Sequence, residues 1–182
     1  MPYTDFKGTT AYATDIQFCY DNGLISGTSR HTYAPNMNMT RGMFIASMYA
    51  LGNKKVNMST GSSFSTIMKS SYFTKALSWA YSKGITFGVN KSVFSPLTWV
   101  TREQMAQMLY QYAGKPKLQT EAQLGDSYQD SGKVSKAYKD AVLWAATNGF
   151  INAEDGFLKP KASVTRGEMA HALHVYMEYS QG

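Results

Sequence analysis

Eighteen residues of the chain are basic but only four are arginine, and three of these, Arg41, Arg102 and Arg166, directly follow a threonine. Each Thr-Arg pair stands at the head of an apolar run of helical period. In the stretch VTRGEMAHAL, Thr165 and Glu168 have the spacing of a capping box, which places Arg166 in the first helical turn. A cation there faces the positive end of the helix dipole and costs a few tenths of a kcal/mol, roughly. A chain that does this three times must gain something from the guanidinium group.

Other reactive types are sparse. Glu168, His171 and His174 fall at i, i+3 and i+6. They lack the His-Glu-x-x-His arrangement of a helical zinc site, and the last of them has drifted around the helix. His31 is a lone loop histidine. Cys19 lies on an apolar stripe with no histidine in a readable catalytic motif, so it reads as a small buried hydrophobe, and a single cysteine excludes an internal disulfide framework. No Gly-x-Ser-x-Gly elbow, phosphate-binding glycine loop or paired-carboxylate signature occurs. The expectation is a non-catalytic chain without metal or cofactor.

The elements that position the arginines repeat. Arg41, Arg102 and Arg166 are 61 and 64 residues apart, and each lies six residues after a proline, at Pro35, Pro96 and Pro160. A glycine precedes each proline by 12, 12 and 11 residues, at Gly23, Gly84 and Gly149. After each arginine runs a stripe of period 3.6: Phe44, Met48, Leu51; Met105, Met108, Leu109, Tyr112; Met169, Ala172, Leu173, Tyr176. Before each glycine runs another: Tyr12, Ile16, Cys19, Tyr20; Phe73, Leu77, Ala80, Tyr81; Tyr138, Val142, Ala145, Ala146. Glycine after the last periodic residue is the left-handed C′ cap, and Leu24, Ile85 or Phe150 behind it is set to fold back on the helix. Each unit is therefore helix, Gly-capped turn, Pro loop and Thr-capped helix. The units span residues 1–53, 63–114 and 127–182. A two-helix unit of this size cannot bury its apolar faces alone, so an all-α assembly of three helix-loop-helix repeats around a pseudo-threefold axis is expected, with grooves between neighbouring copies.

This pattern resembles the S-layer homology family, whose modules occur in threes on bacterial surface proteins. Its marks are an aromatic-x-Asp opening, a Gly-Ile-x-x-Gly turn, an aromatic-x-Pro loop and Thr-Arg-Ala-Glu at the second helix. The third copy reads YQDS, AVLWAATNGFI, FLKP and VTRGEMA. The resemblance implies a three-pronged anchor that binds secondary cell-wall polysaccharide carrying pyruvate ketals on N-acetylmannosamine. It further implies that Arg41, Arg102 and Arg166 pair with the ligand carboxylate, with helix N–H groups as additional donors. The remaining implied contacts are Asp5, Asp130, Glu168, Gly27 and Gly88. The departures are Met43 and Gln104 where Glu168 keeps the motif glutamate, Thr66 for the opening aspartate, and Ala153 for the second turn glycine.

Each reading has a plainer alternative. The arginines could tie structurally to the opening aspartates, and Asp5 and Asp130 could cap turns. Trp79 and Trp144 share one helical position with Phe18 and could stack on sugar or serve as core. The net charge of +6 permits an anionic partner, but the lysines are scattered, so no nucleic-acid footprint stands out. No apolar run reaches the roughly 18 residues of a membrane span, and the start MPYTDFKG has no secretory signal pattern. The expected location is extracellular, on the bacterial cell wall or S-layer. An S-layer assembly contact is possible, and the rival reading is a degenerate module that binds a protein partner without glycan.

Overall fold

The computed structural model describes residues 1–8, 11–53, 71–85, 95–118 and 124–181. Among the described residues six longer helices carry the fold: α1 (Ala13–Asp21), α2 (Arg41–Asn53), α3 (Ser71–Ser82), α4 (Arg102–Tyr112), α6 (Lys139–Thr147) and α7 (Arg166–Tyr179). A single turn, α5 (Leu124–Ser127), and two 3-10 turns, Ser131–Lys133 and Lys136–Tyr138, precede α6. Among the described residues there is no sheet, only isolated bridges. Thr66, Gly88 and the side chain of Phe73 lie outside the description.

Helix ends follow the local chemistry. Gly23, Gly84 and Gly149 adopt φ of +65°, +65° and +77°, a conformation open to glycine at no steric cost. The amides of Leu24, Ile85 and Phe150 then reach back to Cys19, Ala80 and Ala145 oxygens at 2.8–2.9 Å, and all three side chains are buried. Thr101 and Thr165 form full capping boxes with Gln104 and Glu168, so glutamine serves the cap as well as glutamate. In the first copy the Met43 amide donates to Thr40 Oγ1, and the Thr40 amide meets the Met43 sulfur at 3.2 Å. A thioether is a weak acceptor, so this box is the poorest of the three.

The three copies meet in a closed ring of backbone hydrogen bonds. Met39 donates to the Val164 oxygen at 2.8 Å, Val164 to Val100 at 2.9 Å, and Val100 to Met39 at 3.0 Å. These are equivalent residues, each just ahead of a threonine cap and each buried, and they mark the pseudo-threefold axis. Outward from the ring, the first helix of one copy packs on the second helix of another: α1 on α7, α3 on α2 and α6 on α4. The aromatic pairs Phe18–His174, Trp79–Tyr49 and Trp144–Tyr110 occupy equivalent places in the three junctions. Every packing unit thus draws on two copies.

The apolar stripes of the second helices line the core as expected, with Phe44, Met48, Met105, Leu109, Met169 and Leu173 buried. The first-helix stripes need a correction, since Tyr20 and Tyr81 are exposed. Both stand eight residues along the stripe, where a helix of 3.6 residues per turn has rotated some 80° off the buried face.

The opening aspartates act on the Pro loops. Asp5 accepts the Tyr33 and Ala34 amides at 2.8 and 2.6 Å, and Asp130 accepts those of Leu158 and Lys159, both at 2.8 Å. Ala34, Ser95 and Lys159, each directly before a proline, have φ of +60°, +49° and +51°. Such a conformation costs about 1–3 kcal/mol for a residue other than glycine, and at Ala34 and Lys159 the two charge-assisted hydrogen bonds to the aspartate hold it in place. Asp130→Ala should therefore lower unfolding stability by about 3 kcal/mol, read as a shift in urea midpoint at unchanged slope. A loss below about 1 kcal/mol would mean that the loop holds its shape without the aspartate.

Candidate functional site

The Pro loops run across the starts of the second helices and consume their free amides. The amides of Arg41 and Gly42 donate to the Thr98 and Pro96 oxygens, those of Arg102 and Glu103 to Ala162 and Pro160, and those of Arg166 and Gly167 to Met37 and Pro35, all at 2.8–3.0 Å. The third amide of each helix is taken by its threonine cap. The expectation that these helix starts offer N–H groups to a ligand is corrected: the neighbouring copy satisfies them.

The arginine side chains are equally engaged. Arg166 is buried and donates from Nε to the Tyr33 oxygen at 2.7 Å and from Nη2 to the Ser26 oxygen at 2.6 Å, with its Cζ 4.6 Å from the centre of the Tyr33 ring. Arg102, also buried, donates from Nη2 to the Asn152 oxygen at 2.5 Å and from Nη1 to Glu168. Ser26 and Asn152 are equivalent residues, each the last before the second position of the Gly turn. Arginine therefore reaches from the second helix of one copy to the turn of the next, and the acceptors are chiefly backbone carbonyls. Burial pulls the pKa of Arg41 and Arg166 below the ordinary guanidinium value. The anticipated tie from arginine to the opening aspartates is replaced by these carbonyl contacts.

The motif departures now acquire physical meaning. Glu168 receives Arg102 on Oε1 and the Thr165 amide on Oε2, so it couples one copy's arginine to the next copy's cap. By the same rotation Arg166 would meet Met43 and Arg41 would meet Gln104, neither of which is charged. Arg166 turns its Nε to a carbonyl and its face to Tyr33, while Arg102, drawn to Glu168, leaves its Nε without a partner among the described residues.

Gly27 sits where a Cβ would run into the Tyr3 ring and the Thr32 carbonyl, and its amide donates to the Tyr3 hydroxyl at 2.6 Å. That glycine is required for close packing in the turn that Arg166 holds. Trp144 is 3% exposed and stacked on Phe150, with no face free for a sugar. Trp79 is half-buried between Tyr49 and Tyr112. The exposed indole is Trp99, at 53%, a residue the repeat pattern does not single out because Asn38 and Ser163 stand at its equivalents.

Two further groups escaped sequence reasoning. Glu103, buried, accepts the Ser135 amide and hydroxyl at 2.9 Å and pairs with Lys161, tying α4 to the approach of α6. Asp15 receives His171 and His174 across the junction of α1 and α7. Among the described residues no group of three or more His, Cys, Asp or Glu side chains is placed to hold a metal ion. A small pocket lies between copies, lined by Tyr12, Arg102, Phe150, Asn152, Glu168 and His171.

The family model of the S-layer homology domain matches three tandem stretches, residues 2–43, 63–106 and 127–170. The chain belongs to the S-layer homology family. Such domains are non-catalytic cell-wall anchoring modules and point to the cell surface. The chain is 29% identical to an endoglucanase of Bacillus sp. (strain KSM-635), over 95% of its own length and 18% of the relative's. It is also 29% identical to the exoglucanase XynX of Acetivibrio thermocellus, over 99% and 16% of the two lengths. An amylopullulanase of Thermoanaerobacterium thermosulfurigenes is 29% identical, over 91% and 9%. The chain spans less than a fifth of each of these relatives, so the likeness covers a small part of those enzymes and not their bulk.

The buried guanidinium groups make the arginines part of the S-layer homology fold. Arg166→Met, which keeps the stem and removes both donors, should cost about 3 kcal/mol in chemical denaturation because the buried Tyr33 carbonyl and the part-buried Ser26 carbonyl each lose a charged donor. Arg166→Lys should recover only part of this, since one ammonium cannot span both oxygens in the plane of the fork. Full stability in the methionine variant would remove the arginine from the list of inter-copy ties.

Proposed function

We propose that this module anchors a longer surface protein by holding an anionic secondary cell-wall polysaccharide, pyruvylated on N-acetylmannosamine, in the grooves between copies. The observation that carries the reading is the repeated placement of a buried arginine beneath the Gly turn of the neighbouring copy. A fixed positive charge at the floor of a groove, already desolvated and oriented by carbonyls, attracts a carboxylate without further reorganisation. Arg166, with no carboxylate partner among the described residues, keeps its charge for an incoming anion. Arg102 shares its charge with Glu168, so the two grooves differ in affinity. Arg41, Asp5, Asp130 and Gly27 contribute by shaping the same loops and turns, and Glu168 by orienting Arg102.

The aromatic platform in this reading is Trp99, with Leu97 beside it at 62% exposure. Both stand on the loop whose carbonyls cap the start of α2, next to Arg41. An exposed indole stacks on the apolar face of a pyranose while the charged substituent is held below. Trp79 and Trp144 support the prongs from inside.

The test is calorimetric titration with synthetic pyruvylated N-acetylmannosamine beside the same sugar without the ketal. Binding confined to the ketal form is expected. Equal binding of both would remove the carboxylate as the handle, and silence toward both with the protein folded would move the ligand to another wall polymer. Trp99→Ala should weaken binding about fivefold, the worth of roughly 1 kcal/mol of stacking, at an unchanged melting temperature. Unchanged affinity in that variant would exclude the platform.

A further inference from the structure

The three helix junctions are equivalent in backbone and unequal in chemistry. Eight residues before the cap glycine stand Asp15, Ala76 and Ala141, and five residues after the arginine stand Ala46, Gln107 and His171. The junctions of α3 with α2 and of α6 with α4 are therefore small or neutral at these positions, whereas that of α1 with α7 combines a carboxylate with an imidazole. Asp15 Oδ2 lies 3.2 Å from His171 Nδ1, and Oδ1 lies 2.7 Å from His174 Nδ1.

His171 faces acceptors on both sides. Its Nε2 is 2.9 Å from the Gly149 oxygen, which cannot donate. Asp15 is ionised: burial pushes its carboxyl up, but hydrogen bonds from the two histidines outweigh this and hold it below the ordinary aspartate value. A neutral imidazole carries one N–H, so deprotonation would set a ring lone pair against an oxygen at one contact or the other. The imidazolium satisfies both. The hydrogen bond that the His171 ring donates to Asp15 accordingly raises the His171 pKa, against the opposing effect of burial.

The same ring touches the groove. It lines the pocket beside Arg102, and its Nε2 lies 3.1 Å from the Asn152 side-chain amide, which can present either its oxygen or its nitrogen. Gly149 and Asn152 bracket the turn whose last carbonyl receives Arg102. Contacts therefore run from Asp15 through His171 to the turn and on to Arg102 and Glu168.

We propose that His171 is a positioning residue of the Arg102 groove, its protonated ring holding the Gly149–Asn152 turn against Arg102 so that the groove binds an anionic sugar more tightly in mildly acidic than in alkaline solution. The affinity part rests on the glycan reading above. The charged and titratable groups around the ring are Asp15 and Tyr12 from the α1 side, His174, Glu178 and Glu168 on α7, and Arg102 on α4. When the proton leaves, the pocket beside Asp15, Glu168 and Arg102 has one cation fewer and turns against anions. The sign follows from the raised pKa. The favourable contacts are complete below the unfolded histidine value of about 6.5 and are lost as pH rises through the higher folded value. The carboxylate of a pyruvate ketal stays ionised throughout, so the ligand itself supplies no such trend.

Two measurements on the full chain test this. In nitrogen NMR of the free protein, the Arg102 side-chain signal should titrate with the midpoint of the His171 ring. It should stay flat in His171→Gln, a substitution that copies Gln107 of the second repeat. An Arg102 signal indifferent to His171 in the wild type overturns the coupling. In calorimetry, affinity for pyruvylated N-acetylmannosamine should fall about fivefold between about pH 6 and about pH 8.5, and the fall should vanish in His171→Gln. His174→Tyr, matching Tyr49 and Tyr110, should retain it. Binding of equal strength at both pH values overturns the affinity claim. Absence of binding at either pH instead defeats the glycan reading, and the NMR signal then decides the coupling by itself.

Discussion

The ring in which Met39, Val164 and Val100 pass one amide to the next is the constraint on which everything else here depends. It is made of backbone alone, so it fixes the three copies in register whatever side chains surround it. Once those residues are placed, each threonine cap and each arginine follows at a set distance from the axis. The Pro loops are drawn over the helix starts of the next copy, where their carbonyls replace the water that would otherwise solvate those amides. The strained residues before Pro35 and Pro160 are what bring these carbonyls inward, and Asp5 and Asp130 hold that strain from a distance of about thirty residues in sequence.

The arginines show how a buried charge is accommodated without a counter-ion at hand. Isolated cations are costly to desolvate, and the cost falls when the fork is fully hydrogen-bonded. Arg166 achieves this with two carbonyls and the face of Tyr33, whereas Arg102 exchanges part of that set for Glu168 and leaves Nε unmatched. The difference traces to one substitution in the neighbouring copy, Met43 against Glu168. A repeat read as three equal motifs is therefore three unequal electrostatic sites.

Much of this was legible before any coordinates. The period, the glycine caps, the threonine capping boxes and the apolar stripes of the second helices all rest on local rules, and local rules are written in consecutive residues. Partner choice is not. Helical periodicity says which face of α1 is buried but not that α7, at the other end of the chain, covers it. Arginine's acceptors were hidden for a related reason: a backbone carbonyl has no residue type, so nothing in Ser26 or Asn152 announces it. The Asp15–His171 contact did leave a trace, since alignment of the copies sets Asp15 against Ala76 and Ala141. A polar outlier at a position otherwise occupied by alanine marks a place where one junction has been given a task of its own.

Pairing each first helix with the second helix of a different copy closes the chain into a circle of three, and a closed circle has no free end on which another unit could stack. Open helical solenoids lengthen by adding repeats, but here a fourth copy would have to break the junction of α1 with α7. Copy number is thereby frozen, and divergence is confined to the side chains within each copy. Since the cement between copies is largely main chain, the side chains of one junction can change, as at Met43, while its prong stands. Such a module changes its affinity by losing or sharpening sites one at a time within an unaltered frame.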